Sequence, residues 1–334
     1  MEPLPNYETG SQAKNHTNGS GLSIGFGIAP PDNIKYHFSG HETFPFRYAW
    51  LPKGILNLQK DQRLFSSKDA IVTLGVGKNM VRSIQHWCDT LGLIESVPGE
   101  RGAYQVTEIG GKLFGEDGWD IYMENPGTLW LLHWQLASRW DRASTWFLAF
   151  TRWNTDEFTR DQLCSWLLRV KENESPSSRG TKASIKRDVD TFIRTYVPSK
   201  VTRTRPLEDT FDCPLVELGL ISEAGRDTFD FVRGPKPSLP DEIFTYALVD
   251  FWRNRALASK TLTFETLMHA QGSPGRAFKL SENALVERLE RLPEWTHMTF
   301  GDTAGQRQVY LQADTVINPL DILAKYYATT EPAK

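Results

Sequence analysis

Between Ser66 and Glu95 the chain reads SSKDAIVTLGVGKNMVRSIQHWCDTLGLIE, and few folds accommodate that order. A short apolar run is broken by GVGKN, and a longer amphipathic run follows. Ser66 or Ser67 is placed to cap a first helix, with Asp69 in its first turn, where the helix dipole favours an acid. Ala70, Ile71, Val72 and Leu74 supply that helix with an apolar face. Gly75 and Gly77 permit the reversal. A second helix is expected from Lys78 to about Leu91, because Met80, Ile84, Trp87 and Leu91 recur at helical spacing. LIESV and AYQVT then flank PGERG as two short strands. Helix, glycine turn, helix and hairpin is the order of a winged helix-turn-helix.

That order draws attention to Lys78, Asn79, Arg82 and His86, which fall off the apolar stripe of the second helix. In a recognition helix, such residues enter the major groove, where Arg pairs with guanine and Asn with adenine. An ordinary solvated face would carry the same residues, and winged helices also bind proteins. Arg101, at the hairpin tip, is suited to a phosphate or to the minor groove, and equally to solvent.

Charge decides how far a nucleic-acid reading can extend. The chain has 38 Lys and Arg against 41 Asp and Glu, a formal net charge of −3. A nucleic-acid surface must therefore be a local patch. The most basic segment runs from Arg179 to Arg205 and includes Lys182, Lys186 and Arg187. It could neutralise phosphates with a steep salt dependence, or be a solvated helix face.

The expected fold is mainly α with small β hairpins. Residues 1–33 read as a disordered tail rich in Gly, Ser, Asn and Pro. Residues 34–118 form the winged helix-turn-helix domain. Residues 119–205 form a helical, Trp-rich middle that carries the basic segment. Residues 206–334 form a C-terminal winged-helix-like unit, with the helix, helix, hairpin order returning there. Three cysteines make no disulfide framework and fit a reduced, cytoplasmic setting. No signal peptide and no apolar run of about 20 residues is present, so no membrane span is expected.

Catalytic signatures are sparse. There is no phosphate-binding GxxxxGK[ST] loop, HExxH, GxSxG or PD-(D/E)xK core. FSGHETFPFRYAW holds His41, Glu42 and Arg47 among aromatic residues. His beside Glu suits an acid–base pair or part of a magnesium or zinc site. It also suits a packed segment around a hydrogen-bonded histidine.

FSGHETFPFRYAWLPKGI, LGVGKNMVRSIQHWCDTLGLIE and YQVTEIGGKLFGEDGWDIYMENPGTLWLLHWQLA together resemble the DUF4007 family, most closely from Phe38 to Ala137. GHETF and GVGKNMV are the specific features. The resemblance implies a role in bacterial DNA phosphorothioation, a phage-defence modification in which sulfur replaces a non-bridging phosphate oxygen. It implies double-stranded DNA as substrate and, as partners, a cysteine desulfurase, a PAPS-reductase-like protein and an ATPase. The expected activity is DNA binding with strand nicking, and a homodimer could place paired helices on a symmetric site. On that reading His41 and Glu42 serve as base or ligand, Arg47 sits on the phosphate, and Mg2+ or Mn2+ assists. The alternative is a non-catalytic DNA-binding or scaffold subunit that positions the partner enzymes.

Overall fold

The computed structural model describes residues 34–199, 213–255, 259–303, 305–312 and 317–330. The proposed tail lies outside them, as do Lys200, Arg203 and Arg205 of the basic segment. The protein is mainly helical, with three small antiparallel sheets. Among the described residues, no helix is long and apolar enough to cross a membrane.

Helix α1 (Trp50–Leu58) buries Trp50, Leu51, Ile55 and Leu58 on one face. Helix α2 (Ala70–Leu74) ends at Gly75, whose left-handed backbone (φ 62°) turns the chain into α3 (Lys78–Thr90). The expected stripe on α3 is present: Ile84, Trp87 and Leu91 are fully buried, and Met80 packs partly against the core. Gly54 lets α1 approach α3, since a Cβ there would lie 2.8 Å from Cys88 Sγ. On α2 the expectation is only half met. Ala70 and Leu74 are buried, but Ile71 is 45% and Val72 82% exposed. A helix of five residues has room for one inward row, and these two β-branched side chains point away from it.

Strands β1 (Ile94–Ser96) and β2 (Tyr104–Val106) pair antiparallel around the expected turn. The amide of Tyr104 also donates to Gln62 O at 2.9 Å, so the segment after α1 lies against the hairpin's edge. Helix α4 (Glu108–Phe114) follows, capped by Thr107 Oγ1, which accepts from Gly110 N. The Trp-rich stretch forms two buried helices, α5 (Pro126–Ser138) and α6 (Ser144–Thr151). Nearly every residue of both is inaccessible, which is why neither shows a polar face in sequence.

The same order then appears twice more. Strand β3 (Glu157–Thr159), helices α7 (Arg160–Glu174) and α8 (Lys182–Tyr196), and strands β4 (Ile221–Gly225) and β5 (Thr228–Phe231) form the second unit. Its sheet has the order β3-β5-β4. Capping boxes Thr159/Gln162 and Thr181/Ser184 start its helices. This sheet draws strands from both sides of the boundary expected at 205/206. The third unit contains α9 (Asp241–Arg255), β6 (Thr261–Thr263), α10 (Phe264–His269), α11 (Pro274–Ala277), α12 (Glu282–Glu290), β7 (Met298–Thr303) and β8 (Gln306–Leu311). Its sheet order, β6-β8-β7, repeats that of the second unit. Helix α13 (Pro319–Thr330) closes back onto α5, where the Tyr327 and Thr128 hydroxyls are 2.7 Å apart.

Candidate nucleic-acid interface

GHETF forms a strained loop between α3 and α8. Ser39 (φ 71°), Gly40 (111°), Glu42 (48°) and Thr43 (66°) all adopt positive φ. For residues other than glycine such backbone costs roughly 1–3 kcal/mol each and persists only where its surroundings enforce it. The enforcing group is Asp188, on the inner face of α8 and 1% exposed. Its Oδ1 accepts from Ser39 N (2.8 Å) and His41 Nε2 (2.9 Å), and its Oδ2 accepts from Thr145 Oγ1 (3.0 Å). His41 Nδ1 accepts from Thr43 N at 3.0 Å, which places the ring proton on Nε2, facing Asp188. From α3, Ser83 Oγ donates to His41 O (3.0 Å) and Trp87 Nε1 donates to Phe44 O (2.9 Å). The Arg194 guanidinium of α8 donates to Thr43 O. The loop thus fixes the spacing of α3, α6 and α8.

Outside this junction lie the cations. Lys78, Asn79 and Arg82 are exposed on the first turns of α3. Lys182, Lys186 and Arg187 are exposed on α8, and Arg179 is exposed in the loop before it. Arg101 is exposed in the β1–β2 turn, with its carbonyl accepting from Arg63 Nη1 (3.4 Å). The two helices expected to carry basic faces therefore do so on either side of one rigid loop.

His86 is different. Its ring packs against Gly40, where a Cβ would lie 2.6 Å from Nδ1, and edge-on to Trp87. Burial, with the nearby His41 and His37, pushes its pKa down from 6.5 to about 3. A neutral ring wedged among other rings is a packing group, and the expected groove contact at His86 is corrected to that role.

His41, Glu42 and Arg47 do not converge. His41 is 2% exposed, and both its ring nitrogens are engaged within the protein. A base must reach solvent or substrate, so the geometry makes His41 a positioning residue instead. Glu42 faces outward beside Arg82, whose Nη1 is 3.7 Å from Oε1. Arg47 lies over the Trp50 ring, 5.2 Å from its centroid, along a separate cleft. Among the described residues no three His, Cys, Asp or Glu side chains gather as a metal-binding group.

Sequence reasoning passed over three residues of this region. Asp188 interrupts an apolar face at helical spacing, with Ile185, Val189 and Phe192 around it, and a lone acid in such a row was the available signal. Arg226 is exposed at the β4–β5 turn, the counterpart of Arg101, and EAGRDTF echoes GERG. Arg194 had no signal of its own, because its acceptor is a carbonyl 151 residues away in sequence.

A family model described as a protein of unknown function, DUF4007, matches residues 38–327. No curated protein matches the sequence. Two solved structures, an SspB crystal structure and a magnesium ion-bound SspB crystal structure, are similar to the chain, each with a TM-score of 0.78 at 30% identity. Each match covers 89% of this chain and 91% of the SspB chain.

Proposed function

The chain belongs to the DUF4007 family, and from that premise we propose that it is the DNA-holding component of a bacterial phosphorothioation system. The observation that carries this reading is the pair of exposed cationic faces, Lys78 and Arg82 with the neutral Asn79 on α3 and Lys182, Lys186 and Arg187 on α8, on either side of one strained loop. We read each unit as a winged helix: the last helix before each hairpin is then the recognition helix, and Arg101 and Arg226 are wing-tip phosphate contacts. Two such helices with fixed spacing grip adjacent parts of one duplex. They hold it for the sulfur-delivering partners, the cysteine desulfurase and the PAPS-reductase-like protein, with an ATPase. Phosphate neutralisation makes the grip salt-sensitive. A mobility-shift series with duplex DNA across salt tests this. Binding that fades steeply with salt is the expected result. Salt-independent binding, or none, refutes it and leaves a protein-only scaffold.

Strand nicking is the second reading, and Glu42 favours it. Its carboxylate is held in a left-handed backbone beside Arg82, between the two cationic helices. It could orient a water while Arg82, rather than Arg47, neutralises a phosphate oxygen. Glu42 is a poor fit for the Mg2+ or Mn2+ expected from the resemblance, because among the described residues it belongs to no group of three or more His, Cys, Asp or Glu side chains. A supercoiled-plasmid assay with and without either ion, run on wild type and Glu42→Ala, decides. Open-circle product from wild type alone supports nicking. Intact plasmid throughout, with DNA still bound, leaves the cutting to a partner.

A further inference from the structure

A cleft of about 1090 Å3 lies between the first unit and the turn Pro214–Leu218 that precedes β4. Its apolar lining includes Ile71, Val76, Met80 and Val216. Among the described residues six large hydrophobic side chains are exposed, and two of them, Tyr48 and Ile71, line this cleft. Clustered exposure of that kind marks a contact surface, whereas scattered apolar residues do not. Val72, the next residue on α2, is 82% exposed. The rim is cationic: Arg47 and the exposed Lys53 line it. Among the described residues the one acid in the lining is Glu217, which accepts from the Tyr48 hydroxyl.

We propose that this cleft docks an amphipathic helical segment of a partner protein, with aliphatic anchors seated between Ile71, Val76 and Met80 and acidic flanks facing Arg47 and Lys53. An apolar floor beside two cations, Arg47 and Lys53, selects for both features at once. The floor supplies affinity through desolvated aliphatic contacts, and the rim rejects basic segments. Nothing in this inference depends on the DNA reading, because the cleft residues are not those assigned to DNA.

The test uses the full chain and two fluorescein-labelled synthetic helical peptides of roughly five turns. Both carry leucines at helical spacing; one has glutamate flanks and the other lysine flanks. The glutamate peptide should bind at least about tenfold more tightly by anisotropy. Ile71→Glu should weaken it about tenfold or more, and Lys53→Glu should invert the preference between the peptides. Circular dichroism and the thermal midpoint confirm that these variants fold, which their exposed positions favour. Equal binding of the two peptides, or binding of neither, overturns the proposal. Displacement of the glutamate peptide by duplex DNA assigns the cleft to nucleic acid and also overturns it. So does self-association in sedimentation that Ile71→Glu abolishes, because the occupant is then a second copy.

Discussion

Helices α8 and α12 hold the same place in two copies of one element order. Each is the last helix before a hairpin, and each hairpin completes a sheet in which the strand from before the helices pairs with the hairpin's second strand. Each also carries one buried ionisable anchor. In α8 it is Asp188, which gathers Ser39, His41 and Thr145. In α12 it is Arg288, which donates to Asp241 Oδ1 (2.8 Å) and Lys236 O (2.7 Å). Their outer faces are opposite. Lys182, Lys186 and Arg187 are exposed on α8, whereas Glu282, Glu287 and Glu290 are exposed on α12. The architecture positions a helix for recognition, but the sign of its exposed charge decides what it can approach. Under this reading the first two units face DNA and the third is kept off it. An acidic face against a phosphate backbone is repulsive whatever its shape.

The largest effect should come from the anchor. Asp188→Ala leaves three donors, two of them buried, without their acceptor and should destabilise the protein by about 3–5 kcal/mol, read as a shift in the urea midpoint. A loss under about 1 kcal/mol would mean that the 39–43 loop holds itself. Next comes the cationic face. Reversing Lys182, Lys186 and Arg187 to Glu together should weaken duplex binding about a hundredfold, near 2.7 kcal/mol, and lower the salt slope by about three. If affinity survives, α8 is a solvated face and the comparison breaks. The same reversal on α12, with Glu282, Glu287 and Glu290 changed to Lys, should raise DNA affinity about tenfold at low salt. No change would show that placement, not charge, keeps the third unit away.

The smallest effect concerns α3. The pKa of His86 is depressed from 6.5 to about 3, so the folded state favours its neutral form. That stabilisation is complete above 6.5 and is lost as pH falls from 6.5 toward about 3. Going from pH 7.5 to pH 6 should cost about 0.8 kcal/mol at this site. His86→Phe should lessen the slope of the urea midpoint with pH. It should not abolish it, because buried His133 is depressed in the same way, to about 3. An unchanged slope would remove His86 from the junction.

Much of this was legible in the residues. The bounds of α8 follow from its threonine cap and from Ile185, Val189 and Phe192, and the β1–β2 hairpin follows from PGERG between two short strands. The cations expected on α3 and α8 are exposed, because a charged side chain off an apolar stripe has nowhere else to go. The part that was not legible depends on distance along the chain. His41 beside Glu42 reads as a reactive pair, yet its ring is turned to an aspartate 147 residues away. Ile71 and Val72 read as core, yet among the described residues they stay 45% and 82% exposed.

Local sequence was enough to say where the long helices α3 and α8 lie, which stripe each buries, and where positive charge collects, since all three follow from neighbours within a few residues. Tertiary structure alone decided which polar groups are sealed inside, which apolar groups remain in water, and that α3 and α8 share one loop. Those outcomes depend on which distant segments meet, and a buried carboxylate has the same local sequence as an exposed one until its partners arrive.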